Sequence, residues 1–123
     1  MSNSGSTLIV QPETVLNKVV SLSIHLEAIT GPHQGKVWDI DKEEITIGRE
    51  PSNDIVLNCD TNVSRSHAKL LRTDTGWAVI DGNSTNGTYV KVDSDLTKIH
   101  EEVEVARDNR IQVGQTQFSL EWN

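Results

Sequence analysis

From residue 21 onward the chain falls into short runs in which apolar and polar residues alternate, each stopped within a few residues by a turn signal. Leu22, Ile24 and Leu26 alternate with Ser23, His25 and Glu27, the period of a half-buried strand. Gly31 to Gly35, Pro51 to Asp54, Thr73 to Gly76 and Asp108-Asn109 punctuate the rest of the chain. No stretch carries the 3.6-residue apolar repeat of an amphipathic helix. A chain built this way can bury its apolar faces only by stacking one sheet on another.

The pattern predicts further strands over Lys36 to Asp41, Glu44 to Arg49, Ile55 to Leu57, His67 to Arg72, Trp77 to Asp81, Thr88 to Val92 and Val103 to Ala106. A last stretch, Ile111 to Trp122, is broken at Gly114. Trp77 to Ile80 is apolar on both faces, which predicts a central strand. Asp93 to Glu102 reads as a polar connection. Ten or so short strands make an all-β sandwich, and the 34 Val, Ile and Thr residues favour it. Residues 1–20 differ: the first seven are mostly Ser, Asn, Gly and Thr, a composition that does not pack. The expected organisation is a flexible tail over 1–20 and one domain over 21–123.

Eleven Lys and Arg against eighteen Asp and Glu leave a formal charge of −7. That balance opposes a general nucleic-acid binder or an anionic membrane surface as partner. The single cysteine, Cys59, excludes an internal disulfide framework and fits a reducing compartment. Apolar runs such as Leu8-Ile9-Val10 are far short of a membrane span, and Met1 to Thr7 lacks the cations of a secretory signal. A cytoplasmic protein is expected, and any anion it binds must be held by a local basic site.

Three loop segments supply such a site: Gly48-Arg49, Ser64-Arg65-Ser66-His67 and Ser84-Thr85-Asn86-Gly87-Thr88. Loops at one end of a sandwich gather into one patch. Together they offer guanidinium, hydroxyl, carboxamide and backbone N–H groups, which suit a phosphate. They bring no acid–base pair suited to catalysis, so no enzyme is expected. Ser64, His67 and Asp81 could be written as a hydrolase triad, yet no nucleophile elbow surrounds Ser64.

In order and at separations of 15 residues from Arg49 to Ser64 and 22 from Ser64 to Asn86, these motifs resemble the forkhead-associated (FHA) domain family. The resemblance covers roughly residues 22–121. It implies an FHA/SMAD-like β-sandwich of eleven strands that binds phosphothreonine peptides through loops at one end, and with it an adaptor role in Ser/Thr kinase signalling. Carried over, Arg49 and Ser64 hold the phosphate, Thr85 shapes the pocket, and Arg65 and Asn86 bond the peptide backbone. Gly48, His67 and Gly87 support the site, and Asn62 lies near the position that reads the side chain three residues after the phosphothreonine. The resemblance implies no cofactor. The family's Gly-Asp before the penultimate strand is Asp108-Asn109 here, and Asn tolerates the left-handed conformation such a turn uses. Thr7 and Thr14 are candidate phosphorylation sites through which the tail would occupy the chain's own site.

Blander readings compete at each position. His25, His33 and His100 have no metal-ligand spacing. Trp38, Trp77 and Trp122 sit among alternating strand residues and read as core. Exposed tryptophans would instead favour a phosphate-independent protein- or glycan-binding sandwich. Gly31 to Gly35 lacks the Gly-Lys-Ser/Thr step of a nucleotide loop.

Overall fold

The computed structural model describes residues 23–123. The expected tail, with Thr7 and Thr14, and Leu22 of the first expected strand lie outside the described residues. Eleven strands form among them. They are β1 (Ile24–Ala28), β2 (Val37–Ile40), β3 (Glu44–Gly48), β4 (Ile55–Val56), β5 (Ala68–Arg72) and β6 (Trp77–Asp81). Next come β7 (Thr88–Val92), β8 (Asp95–Lys98), β9 (Val103–Val105), β10 (Arg110–Val113) and β11 (Thr116–Trp122).

A five-stranded sheet runs β9-β6-β5-β3-β4, and a six-stranded sheet runs β2-β1-β11-β10-β7-β8. All pairs are antiparallel except β3 with β4, where Ile47 faces Ile55 and Gly48 faces Val56. The all-β sandwich expected from the alternation is the fold observed. β1 and β11 bury alternate residues, and their inner rows pack Ile24, Leu26, Phe118 and Leu120 against Ile45, Ile47, Leu70 and Val79 of the other sheet. Fully burying such a side chain contributes about 1.5–3 kcal/mol. Trp77 is wholly buried, while Trp38 and Trp122 pack half-buried at the edge of the core. β6, with Trp77, Ala78 and Val79 buried, lies between β9 and β5 as its two apolar faces require.

Two local expectations fail. The stretch 93–102 is not all connection, because Asp95–Lys98 forms β8. All four of its side chains are exposed, so an edge strand with no buried face leaves no apolar alternation to read. Asp93, at a φ of 56°, turns the chain so that Val92 pairs with Asp95 across a two-residue loop. Second, Asn109 does not use the left-handed conformation. Its side-chain Oδ1 accepts the Ala106 N–H at 2.8 Å and its own N–H donates back to the Ala106 carbonyl at 3.0 Å. A side-chain bridge, rather than a positive φ, closes that turn.

Candidate functional site

Gly48 ends β3 against the loop that runs from β4 to β5. A Cβ at Gly48 would overlap the Arg65 carbonyl oxygen and would lie 2.6 Å from Asn53 Nδ2. Only glycine lets the two backbones approach this closely. The approach is fastened by the Arg49 N–H to the Ser64 carbonyl at 3.0 Å and the Glu50 N–H to the Arg65 carbonyl at 3.3 Å. Asn53 Nδ2 donates to the Arg65 and Glu50 carbonyls at 2.8 and 2.9 Å. Arg49 Nε donates to the Val63 carbonyl at 2.9 Å, which holds an otherwise exposed guanidinium over the loop.

His67 is fully buried between two loops. Its Nδ1 accepts the Ser64 N–H at 2.9 Å, so the ring proton sits on Nε2, which donates to the Gly87 carbonyl at 2.8 Å. Ser64 Oγ accepts the Thr85 N–H at 3.0 Å, and Asn86 Nδ2 donates to the Asn62 carbonyl at 3.0 Å. Each tie joins segments more than 20 residues apart in sequence. Gly87, at a φ of 86°, has the Lys98 side chain lying against it, where a Cβ would come within 2.7 Å of Lys98 Cε.

Two carboxylates brace the loops from beneath. Asp60, wholly buried, accepts the Asn62 and Gln115 N–H groups at 3.1 and 2.8 Å and the Thr116 hydroxyl at 2.8 Å. It thereby fixes the Ser64 loop to the β10–β11 turn. Asp81 accepts the Ser84 hydroxyl and N–H at 2.6 and 2.9 Å and the Thr88 hydroxyl at 2.7 Å. Burial alone would raise the Asp81 carboxyl, but the hydrogen bonds from Ser84 and Thr88 outweigh it and hold the group below the ordinary carboxylate range. Asp81 is thus a clamp on the β6–β7 loop, and it is not hydrogen-bonded to His67, whose two ring nitrogens are taken by the Ser64 N–H and the Gly87 carbonyl.

The result is a groove of about 440 Å³ lined by Arg49, Asn62, Ser64, Arg65, Thr85 and Asn86, together with Thr61, Val63, Ser66 and Asn83. No acidic side chain lines it. All the groups to which the sequence points for phosphate and peptide, Arg49, Ser64, Arg65, Thr85 and Asn86, stand around it, and Asn62 stands with them. Gly48, His67 and Gly87 lie directly behind its walls. A larger cavity, about 550 Å³, lies at the far end of β11 between His25, Asp39, Arg107, Glu121 and Trp122. Its mixed charges make it less suited to an anion.

Asn53, Asp60 and Lys98 escape sequence reading. Asn53 and Asp60 sit in polar turns where Asn and Asp are common anyway. Lys98 reaches Gly87 only because β8 pairs with β7, placing Lys98 opposite Tyr89. Among the described residues no group of three His, Cys, Asp or Glu side chains is placed to hold a metal ion.

Residues 27–123 match the family model described as the inner membrane component of T3SS, cytoplasmic domain. The chain belongs to this FHA-like family. Solved FHA structures share the domain's architecture. The FHA domain of CT664 from Chlamydia trachomatis superposes with a TM-score of 0.70 at 26% identity, over 82% of this chain and 99% of that one. EmbR from Mycobacterium tuberculosis, solved in complex with a low-affinity phosphopeptide, gives 0.69 at 28% identity, over 80% of this chain and 24% of that one. The oxoglutarate dehydrogenase inhibitor of Corynebacterium diphtheriae is 38% identical over 80 residues, 63% of this chain and 55% of that protein. The chain spans about half the length of the curated relatives it matches.

Proposed function

We propose that this FHA domain is a phosphothreonine-dependent peptide- and protein-binding module that acts as an adaptor in Ser/Thr kinase signalling. The observation that carries the proposal is the groove itself: two guanidinium groups, hydroxyls and carboxamides with no carboxylate, in a chain of net charge −7. Arg49 and Ser64 take the phosphate, and Thr85 closes the pocket around the threonine. Arg65 and Asn86 hold the peptide backbone, and Asn62 meets the side chains beyond it. Gly48, His67 and Gly87 keep the loops in place.

A phosphothreonine brings about −1.5 to −2 charge and three acceptor oxygens. Each charge-assisted hydrogen bond contributes roughly 1.5–3 kcal/mol, so three or four of them, together with peptide-backbone pairing at Arg65 and Asn86, can supply the ~8 kcal/mol of a micromolar complex. An unmodified threonine offers one neutral hydroxyl, and Arg49 then has no anion to face.

The geometry gives no support to a hydrolase. Both His67 nitrogens are engaged by backbone groups, and Ser64 Oγ is bonded to the Thr85 N–H, so no base addresses the serine. A glycan platform finds no support either, since Trp77 is buried and Trp38 and Trp122 pack on the core. Among the described residues no helix is long and apolar enough to cross a membrane. The relative named as an enzyme inhibitor and the neighbour bound to a phosphopeptide support a regulatory binding role. Partners are proteins phosphorylated on threonine by a Ser/Thr kinase, and the chain's own tail, through Thr7 or Thr14, is a candidate ligand.

An oriented phosphothreonine peptide library, read against the same library unphosphorylated, tests the proposal. Selective retention of the phosphorylated pool, lost in Arg49→Ala, is expected. Equal retention of the two pools overturns it.

A further inference from the structure

The outer face of the six-stranded sheet is divided by charge. Cross-strand pairing sets Lys98 beside Tyr89 and Gln112 in one row, and Leu96 beside Lys91 and Arg110 in the next. On the other half of the same face stand Glu27, Asp39 and Glu121 with His25. Among the described residues Lys91, Lys98 and Arg110 form no ion pair, although carboxylates outnumber cations in the chain. Asp93 and Asp108 border a small hollow with Lys91 and Arg110 and close the basic half at its far end.

This half continues the groove. A depression of about 450 Å³ is lined by Asn62, Asn86 and Gly87 on the groove side and by Tyr89, Leu96 and Gln112 on the sheet side. Asn62 and Asn86 also line the groove. Leu96 is 44% exposed on the open edge strand β8, an apolar side chain set between two cations. Lys91 lies two residues beyond Tyr89 along β7, about 7 Å further out, so an extended peptide leaving the groove over Asn86 crosses these rows within a few residues.

We propose that Tyr89, Lys91, Leu96, Lys98 and Arg110 form a second recognition surface for the same partner, one that takes an acidic segment with an aliphatic residue flanking the phosphothreonine. The inference rests on the phosphothreonine reading of the groove and adds to it. The carboxylates of the segment pair with Lys91, Lys98 and Arg110, and its aliphatic side chain covers Leu96 and the Tyr89 ring. The acidic half of the sheet face repels the same segment and fixes the side over which it runs. Because the segment is tethered to the phosphothreonine, even weak screened pairs act at high effective concentration.

Fluorescence anisotropy on the full chain tests this with three labelled peptides. One is a short phosphothreonine peptide selected from the library, and the others extend it by Glu-Leu-Glu-Asp on the amino or the carboxyl side. One extension is expected to tighten binding about fivefold at low salt and to lose that gain at high salt. Lys91→Glu/Arg110→Glu binds the short peptide as the parent does but loses the gain. Lys91→Ala/Arg110→Ala, which sets up no repulsion from Asp93 and Asp108, keeps a folded domain and also loses it. Arg49→Ala loses all three peptides. Equal binding of short and extended peptides, or a gain that survives both double variants, overturns the second surface while leaving the groove reading intact. A short phosphopeptide that fails to bind overturns the groove reading and the second surface with it.

Discussion

The Thr85 backbone N–H donates to Ser64 Oγ across 3.0 Å, so one hydroxyl joins two loops that are 21 residues apart in sequence. That oxygen keeps its own proton to donate to an incoming anion. The tie therefore both shapes the groove and leaves a donor facing it. Ser64→Ala removes donor and tie together, and a loss of affinity for phosphopeptide on the order of tenfold or more is expected by calorimetric titration.

Arg49→Ala should abolish phosphopeptide binding, a loss on the order of 100-fold or more, because the phosphate then faces no guanidinium. Stability should change by less than about 1 kcal/mol, since the exposed side chain makes one hydrogen bond to the Val63 carbonyl. Binding isotherms paired with thermal melts separate the two effects. A variant that melts far below the parent would show Arg49 to be structural.

His67→Ala should cost about 2–4 kcal/mol, measured by urea denaturation. It leaves a cavity and strips partners from the Ser64 N–H and the Gly87 carbonyl, which flank a fully buried ring. Unchanged stability would mean that water replaces the ring without loss.

Asp81 makes the domain acid-sensitive. Its native carboxyl titrates below its ordinary value, because hydrogen bonds from Ser84 and Thr88 overcome the effect of burial. The unfolded chain therefore binds the proton first, and the stabilisation is complete above about pH 4.5 and declines as pH falls through the native value. Asp81→Asn should be about 1–2 kcal/mol less stable at pH 7, with the difference shrinking toward pH 2. Parallel denaturation curves at the two pH values check this, and a difference independent of pH would rule the linkage out.

Gly48→Ala should destabilise the domain by about 1–3 kcal/mol, because the new methyl group overlaps the Arg65 carbonyl oxygen and the backbones must separate. The same separation displaces Arg49. Thermal melts and phosphopeptide titration should fall together, and a variant that binds normally would show that the close approach is dispensable.

Much of this site is legible in the residues because its working groups lie in compact strings. Gly48-Arg49, Ser64 to His67 and Ser84 to Thr88 each carry polar types that a turn alone does not require. The supports are less legible. Asp60 meets Gln115 and Thr116 across 55 and 56 residues, a pairing that only the finished sheet creates. β8 is silent for a different reason, since no face of it is buried and nothing selects an alternating pattern. The Asn109 turn shows that a residue type can be right for a turn while the reason is wrong: its side-chain carbonyl does what a left-handed backbone was expected to do.

Asp60 has one more consequence. Its hydrogen bonds reach Gln115 in the β10–β11 turn and Thr116, the first residue of β11, and β11 is the strand against which β1 pairs. While the protein is being synthesised, the loop bearing Ser64 emerges from the ribosome some fifty residues before the segment that holds it still. A nascent chain therefore exposes that loop well before β11 is available to brace it, and the loop is held in its final place only once β11 has left the exit tunnel and paired with β1.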